Sequence, residues 1–185
     1  MNMTIEIVAE PELPAGLDAA VMRLQQRAFP HEALFARSRH YVHRPRPGDL
    51  RVLAMAEGRP VGQVVLYRAR ARHGGGMLKV ACLGNVCSDP DFRGRGAAGR
   101  CLDAALEQAR RGDCDWALLF CAEVLTGFYG RYGFVAVDHA GLRVTAPGEP
   151  PRPYPKCDVM MAAPLGGQEG GRWPAGEVTL DIDVF

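Results

Sequence analysis

The 185-residue sequence predicts a single α/β domain, and three observations carry that prediction. Short apolar runs bounded by glycine, proline and aspartate fill much of the first half, as in meandering strands. In the second half a segment with apolar residues at helical spacing lies between two such runs, a β-α-β order. The 48% hydrophobic and 23% charged content is that of an ordinary globular chain, long enough for one core and short for two.

The elements follow in order. Residues 5–9 read as a strand, ended by Pro11 and Pro14. Leu17, Val21, Leu24 and Ala28 recur at helical spacing, and Pro30 stops that pattern. The turn cluster Pro45, Pro47, Gly48 and Asp49 precedes RVLAMAEGRPVGQVVLYRARAR, two strands around Glu57-Gly58-Arg59-Pro60. A long apolar strand covers 77–88 and breaks at Asp89-Pro90. Ala98, Leu102, Ala105, Leu106 and Ala109 mark one face of the next helix, closed by Gly112 and Asp113. WALLFC, 116–121, is a buried-type strand; 126–132 suits a short helix, and 134–137 a further strand. Residues 146–155 are proline-rich loop, and 157–161 a strand. A flexible connector over 166–171 leads to Trp173-Pro174-Ala175-Gly176 and a last stretch ending at Phe185. The expected organisation is a domain over 1–165 with a tail, 166–185, packed on it.

Composition excludes several classes. The formal net charge of +1 selects neither nucleic acid nor an acidic membrane. Nine arginines lie between Arg37 and Arg72 against Asp49 and Glu57, either a basic surface for phosphates or RNA or a solvated strand face. The first residues, MNMTIEIVAE, have no secretory pattern, and no run approaches the ~20 apolar residues of a membrane span. The six cysteines (Cys82, Cys87, Cys101, Cys114, Cys121, Cys157) have no zinc or CxxC spacing, so reduced thiols in a cytoplasm are expected. His31, His40, His43, His73 and His139 lack metal-ligand spacing. The arginine, alanine and glycine bias points to a GC-rich, bacterial genome.

The chemistry centres on DFRGRGAAGR, 91–100, where Gly94, Gly96 and Gly99 stand as G-x-G-x-x-G. A dinucleotide fold needs its first glycine directly after a strand, and here Asp89-Pro90-Asp91-Phe92 intervenes. A Walker loop needs G-K-[ST], which is absent. What the segment does fit is a backbone seat for pyrophosphate. Small residues let N–H groups converge on an anion at a helix N-terminus, and Arg93 and Arg95 can add charge, unless they are plain solvated side chains of a turn.

Here a family resemblance enters. VCSDPDFRGRGAAGRCLDAAL, 86–106, resembles the acetyl-CoA-binding motif of the GNAT acyltransferase superfamily, with Arg93, Gly96 and Ala98 at its motif positions. GFYGRYGF, 127–134, is similar to the superfamily's aromatic–Tyr–x–x–x–Gly–Phe segment. The resemblance covers roughly residues 50–140. It implies the GNAT acyl-CoA N-acyltransferase fold, a mixed, mostly antiparallel sheet flanked by helices, with acetyl-CoA as acyl donor. It further implies that Arg93, Gly94, Arg95, Gly96, Ala97 and Ala98 hold the cofactor. Backbone groups near Val86 and Ser88 would bond the acetyl carbonyl and pantetheine arm. Tyr129 matches the tyrosine near the CoA sulfur, a phenol able to protonate the departing thiolate; its alternative is packing, with Phe128, Tyr132 and Phe134 as core candidates.

A base must take a proton from the incoming ammonium, and the candidates are Glu123 and, through a water, Asn85. Glu32 or Asp158 could instead bind a cationic acceptor, and a nucleophilic Cys87 is an alternative to direct transfer. The tail GGRWPAGEVTLDIDVF resembles the W-P-x-G ending of rhizobial nodulation acyltransferases and, more loosely, the C-terminus of aminoglycoside 2′-N-acetyltransferases. That likeness would put Asp181 and Asp183 against a polycation, where the alternative is an edge strand with solvated acids. The expected partner is thus a small-molecule amine, with a protein N-terminus or lysine as the alternative acceptor. A non-catalytic acyl-CoA sensor or RNA-binding module is the alternative outside enzymes; a homodimer is compatible with all of them.

Overall fold

The computed structural model describes residues 2–36, 44–146, 148–155, 159–166, 171–183 and 185. Contacts divide them into two compact units, one made of the described residues up to Tyr67 with Leu83–Glu107, the other of Arg68–Cys82 with Gln108–Phe185. His40, His43, Cys157 and Asp158, together with Arg37 and Arg39, lie outside the described residues.

The first unit begins with β1 (Thr4–Ala9), a 3-10 turn at Glu10–Glu12 and α1 (Ala15–Ala28). Val21, Leu24 and Gln25 are the buried side of α1, matching its apolar period. Then β2 (Leu50–Ala56) pairs antiparallel with both β1 and the start of β3 (Arg59–His73). The hairpin turns on Glu57 and Gly58, both at positive φ (52° and 71°), the two-residue geometry that matches strand twist. The register slips between Ala54↔Gly62 and Met55↔Pro60, so Val61 is an extra, bulged residue. Its carbonyl accepts the N–H of Asp89 at 2.9 Å, which ties the bulge to the end of β4 (Gly76–Ser88). The last strand residues lead into α2 (Ala97–Arg111), whose Ala97, Cys101, Leu102 and Ala105 are buried. A β-carbon at Gly62 would come within 2.9 Å of the Ala97 β-carbon, so glycine lets α2 start against β3.

The second unit carries the far ends of β3 and β4 with β5 (Trp116–Cys121), α3 (Thr126–Gly130), β6 (Val135–Ala136), β7 (Leu142–Val144), β8 (Arg152–Pro153), β9 (Val159–Pro164) and β10 (Val178–Leu180). The strand order is β6-β9-β5-β4-β3-β10-β7-β8. Only β4–β5 and β10–β7 are parallel among the described pairs. Pairing of β4 with β5 runs from Val80↔Trp116 to Cys82↔Leu118; beyond Leu118, β5 is paired only to β9 among the described residues. The end of α2 is closed at Asp113 (φ 53°) rather than by glycine freedom at Gly112. Gly112 is small for another reason: the Arg68 guanidinium lies where its β-carbon would be and donates to the Gln108 carbonyl at 3.4 Å.

Three expectations change. The tail strand is not an edge, since β10 sits between β3 and β7. The three-residue β7 and the two-residue β8 come from segments without a strand pattern, where pairing with neighbours overrides local propensity. The arginines of the 37–72 stretch do not make one basic face: Arg51 is fully buried, and Arg59 and Arg68 are bound to groups of the chain. Cys82, Cys87, Cys101, Cys114 and Cys121 are all free and buried, as small apolar side chains.

Candidate active site

The loop after β4 is built by its glycines. A 3-10 turn over Pro90–Phe92 is capped by the Asp89 side chain, which accepts the Asp91 N–H at 3.0 Å. Gly94 (φ 73°) and Gly96 (φ 80°) then take left-handed conformations that an L side chain resists. Residues Arg93, Gly94, Arg95 and Gly96 are exposed, and a β-carbon at either glycine would meet only open space. The Arg93 and Arg95 N–H groups are used by Pro90 and Phe92 carbonyls, and that of Ala98 by the Ser88 hydroxyl oxygen at 3.2 Å. The N–H groups of Gly94, Gly96 and Ala97 have no acceptor among the described residues. A start of α2 with open space and unused donors fits an anionic, phosphate-bearing ligand. Ala98 contributes a small side chain to this seat, not its N–H.

Asp89 anchors the loop. It is fully buried and receives Arg59 at 2.7 Å and Arg27 of α1 at 3.2 Å, while Arg27 also reaches Asp91 at 2.7 Å. Burial is the largest influence and pushes this carboxyl up, but the bonds from Arg59, the Asp91 N–H and Arg27 together outweigh it and hold it at about 2. The Arg59 and Arg95 guanidinium groups lie over the Phe92 ring, 5.2 and 5.3 Å from its centroid, which orients both cations. A cavity of about 260 Å³ beside this clamp is lined by Arg23, Arg27, Arg59, Asp89 and Asp91 among others.

Upstream, Asn85 breaks the extended run of β4 with φ 51°, unusual for a non-glycine residue in a strand. Its carbonyl accepts the Gln63 amide at 3.1 Å, while its own Nδ2 is buried without a partner among the described residues. Behind it, Gln63 Oε1 receives Arg51 Nη1 at 2.6 Å, and Arg51 is held by both oxygens of Glu10 at 2.6 and 2.7 Å. Val86 and Ser88 are half-buried on either side of Cys87. Burial pushes the Cys87 thiol up to about 12, so it stays protonated and is a poor nucleophile. Asp89 is legible in the sequence only as a strand break, and Glu10, Arg51 and Gln63 carry no motif; the signal for Arg51 and Gln63 is a polar residue in each of the apolar runs RVLAMA and VGQVVLY.

In the second unit, Tyr129 is buried at 5% exposure, edge-on to Phe128 (5.0 Å) and Phe134 (6.2 Å). Phe134 is core as expected, but Phe128 and Tyr132 are only half-buried, so Tyr129 joins Phe134 in the interior in their place. Glu123 is exposed at the start of a 3-10 turn, Glu123–Leu125, and its carboxylate has no partner among the described residues. In the tail, Trp173 meets Trp116 edge-on at 5.5 Å, and Gly176 takes φ 89°. A β-carbon at Gly141 would overlap the Gly176 carbonyl oxygen. Asp181 accepts the Arg70 N–H at 2.7 Å and Asp183 pairs with Arg152, so both acids serve the chain's own structure. Among the described residues no group of His, Cys, Asp and Glu could hold a metal ion, and no helix is long and apolar enough to cross a membrane.

The family model for the acetyltransferase (GNAT) domain matches residues 18–137, which include the glycine loop, Asn85 and Tyr129. The chain belongs to the GNAT acetyltransferase family. This GNAT domain is an acyltransferase, of a family that uses acyl-CoA. A comparison with curated protein sequences gives no match. Among solved structures, an acyl-CoA N-acyltransferase from Pseudomonas aeruginosa is 20% identical, with a TM-score of 0.64 over 88% of this chain and 99% of that one. The GNAT N-acetyltransferase YhbS from Escherichia coli, in complex with CoA, is 17% identical, with a TM-score of 0.63 over 97% and 89%. ElaA from Escherichia coli is 16% identical, with a TM-score of 0.63 over 88% and 99%. These likenesses bear on the fold, a mixed α/β acyl-CoA N-acyltransferase architecture.

Proposed function

We propose that this GNAT domain moves an acetyl group from acetyl-CoA to a primary amine of a small polar acceptor, such as an amino sugar, by direct attack. The observation that carries it is the run of unused N–H groups at Gly94, Gly96 and Ala97, opening on free space where α2 begins. When bound, the cofactor supplies the acyl group as an activated thioester.

The chain's own groups divide the rest of the work. Gly94, Gly96 and Ala97 bind the pyrophosphate through backbone N–H groups, with Arg93 and Arg95 adding charge and Ala98 leaving room. The backbone at Val86 and Ser88 orients the acyl carbonyl and donates to its oxygen as negative charge develops. Tyr129 gives its hydroxyl proton to the departing sulfur. Glu123 takes the proton that the ammonium must lose before its lone pair can attack, and Asn85 could orient a water that relays it there. The buried, protonated Cys87 takes no covalent part. The resemblance of the tail to the ending of aminoglycoside 2′-N-acetyltransferases is what suggests the acceptor class, while Asp181 and Asp183 are engaged by the Arg70 N–H and Arg152.

Thiol release from acetyl-CoA across a panel of amines, with product masses, tests this. Turnover with an amino sugar is the expected result. Tight CoA binding with no turnover for any amine would sink the catalytic reading in favour of an acyl-CoA sensor, and turnover with peptides alone would move the acceptor class to proteins.

A further inference from the structure

A buried chain of side chains ends on the peptide that joins Asn85 to Val86. Glu10 and Arg51 are both fully buried and joined by two bonds, at 2.6 and 2.7 Å. That grip fixes the guanidinium plane, and its Nη1 donates to Gln63 Oε1 at 2.6 Å. An amide side chain can be flipped with little change of shape, and the guanidinium removes the choice: Oε1 must face Arg51, so Nε2 must face Asn85. Nε2 then donates to the Asn85 carbonyl at 3.1 Å. The peptide is planar, so the Val86 N–H leaves the same plane in the opposite direction from that carbonyl. Its orientation matters because Asn85, at φ 51°, turns the backbone out of the extended run of β4 at this peptide.

We propose that Gln63 is a positioning residue: by gripping the Asn85 carbonyl it aims the Val86 N–H at the acyl oxygen, and Arg51 with Glu10 locks the amide that does so. The inference rests on the function proposed above, in which the Val86 N–H meets that oxygen. Gln63 touches neither donor nor acceptor and acts through one peptide bond. The three side chains come from different elements, the turn after β1, β2 and β3, so the aim of the peptide is set by the packed interior and not by β4 itself.

Two full-length variants test it. Gln63→Met keeps the length and removes both polar atoms; Gln63→Glu keeps an acceptor for Arg51 and lacks the donor for Asn85. Calorimetry gives Kd for CoA, which has no acyl oxygen, and for acetyl-CoA, which has one; circular dichroism checks the fold. In both variants the Kd for CoA should change less than about twofold, while that for acetyl-CoA rises about fivefold, the value of one ordinary hydrogen bond. The kcat should fall about tenfold or more with the KM for the amine unchanged. Should Gln63→Met not fold, Gln63→Glu alone decides. Equal shifts for both ligands, or no shift in a folded variant, would reduce Gln63 to a structural group. A wild-type chain that binds no CoA would instead overturn the proposed function and this inference with it.

Discussion

The Ser88 hydroxyl oxygen accepts the amide hydrogen of Ala98 at 3.2 Å, so the last residue of β4 caps the first turn of α2. One of the four orphan donors of that helix is thereby used inside the chain, and the unused N–H groups are those of Gly94, Gly96 and Ala97 before it. Ser88→Ala should lose about 1 kcal/mol, as other helix caps do, and lower Tm by about 2–4 °C. Calorimetric melting checks the loss; the Kd for CoA should move only a few-fold, since the Gly94, Gly96 and Ala97 donors remain.

Gly96→Glu places a carboxylate at the seat and a β-carbon at φ 80°. CoA affinity should fall at least about a hundredfold by like-charge repulsion with the pyrophosphate, well beyond the ~1 kcal/mol of backbone strain seen in the melt. Unchanged binding by titration calorimetry would end the assignment of this loop to pyrophosphate.

Asp89 gives the fold a defined acid sensitivity. Its pKa is about 2 in the folded chain against an ordinary 3.8, so its contribution is complete above about pH 4 and is lost as pH falls through 2. The shift corresponds to something on the order of 2 kcal/mol. Asp89→Asn should lower stability at neutral pH and flatten its dependence between pH 4 and 2, read from urea midpoints across that range. A variant with the same acid dependence as the native chain would show that the arginine clamp is not responsible.

Tyr129→Phe removes one oxygen from a ring that is already buried and packed on Phe134. The kcat should fall at least about tenfold, with a smaller change in the KM for acetyl-CoA, since the hydroxyl acts when sulfur departs. Equal activity in the variant would return Tyr129 to packing.

Gly141→Ala forces a β-carbon into the Gly176 carbonyl, and backbone cannot step aside as a side chain can. A cost of about 2 kcal/mol or more is expected, visible as a lower urea midpoint. If stability is unchanged, the W-P-A-G turn is not held by this contact.

What could be read in the sequence was local. Glu57-Gly58 announced a hairpin because a two-residue turn needs left-handed backbone, and Asp113 stopped α2 close to where the apolar period ended. The glycines of 94–99 could be told from a dinucleotide loop by the Asp89-Pro90 break, which the structure explains as a capped 3-10 turn. What stayed hidden depended on distant partners. Three-residue strands such as β7 have too few side chains to show a period, and β10 gains its interior place from β3 and β7. The left-handed Asn85 left no mark either, because asparagine in an apolar run carries no turn signal until Gln63 is seen holding its carbonyl. Burial ranked the aromatics of GFYGRYGF in an order that spacing alone does not reveal.

Neither compact unit is one continuous length of polypeptide. The first closes only with Glu107, yet Arg68–Cys82, already synthesised by then, belongs to the second. On the ribosome that hairpin, with Ala69, Ala71, Val80, Ala81 and Cys82 destined for burial, emerges before β5 and β10, the strands that flank it. Birth order thus leaves the apolar stems of this hairpin, on either side of its exposed tip, open to chaperones and to neighbouring nascent chains.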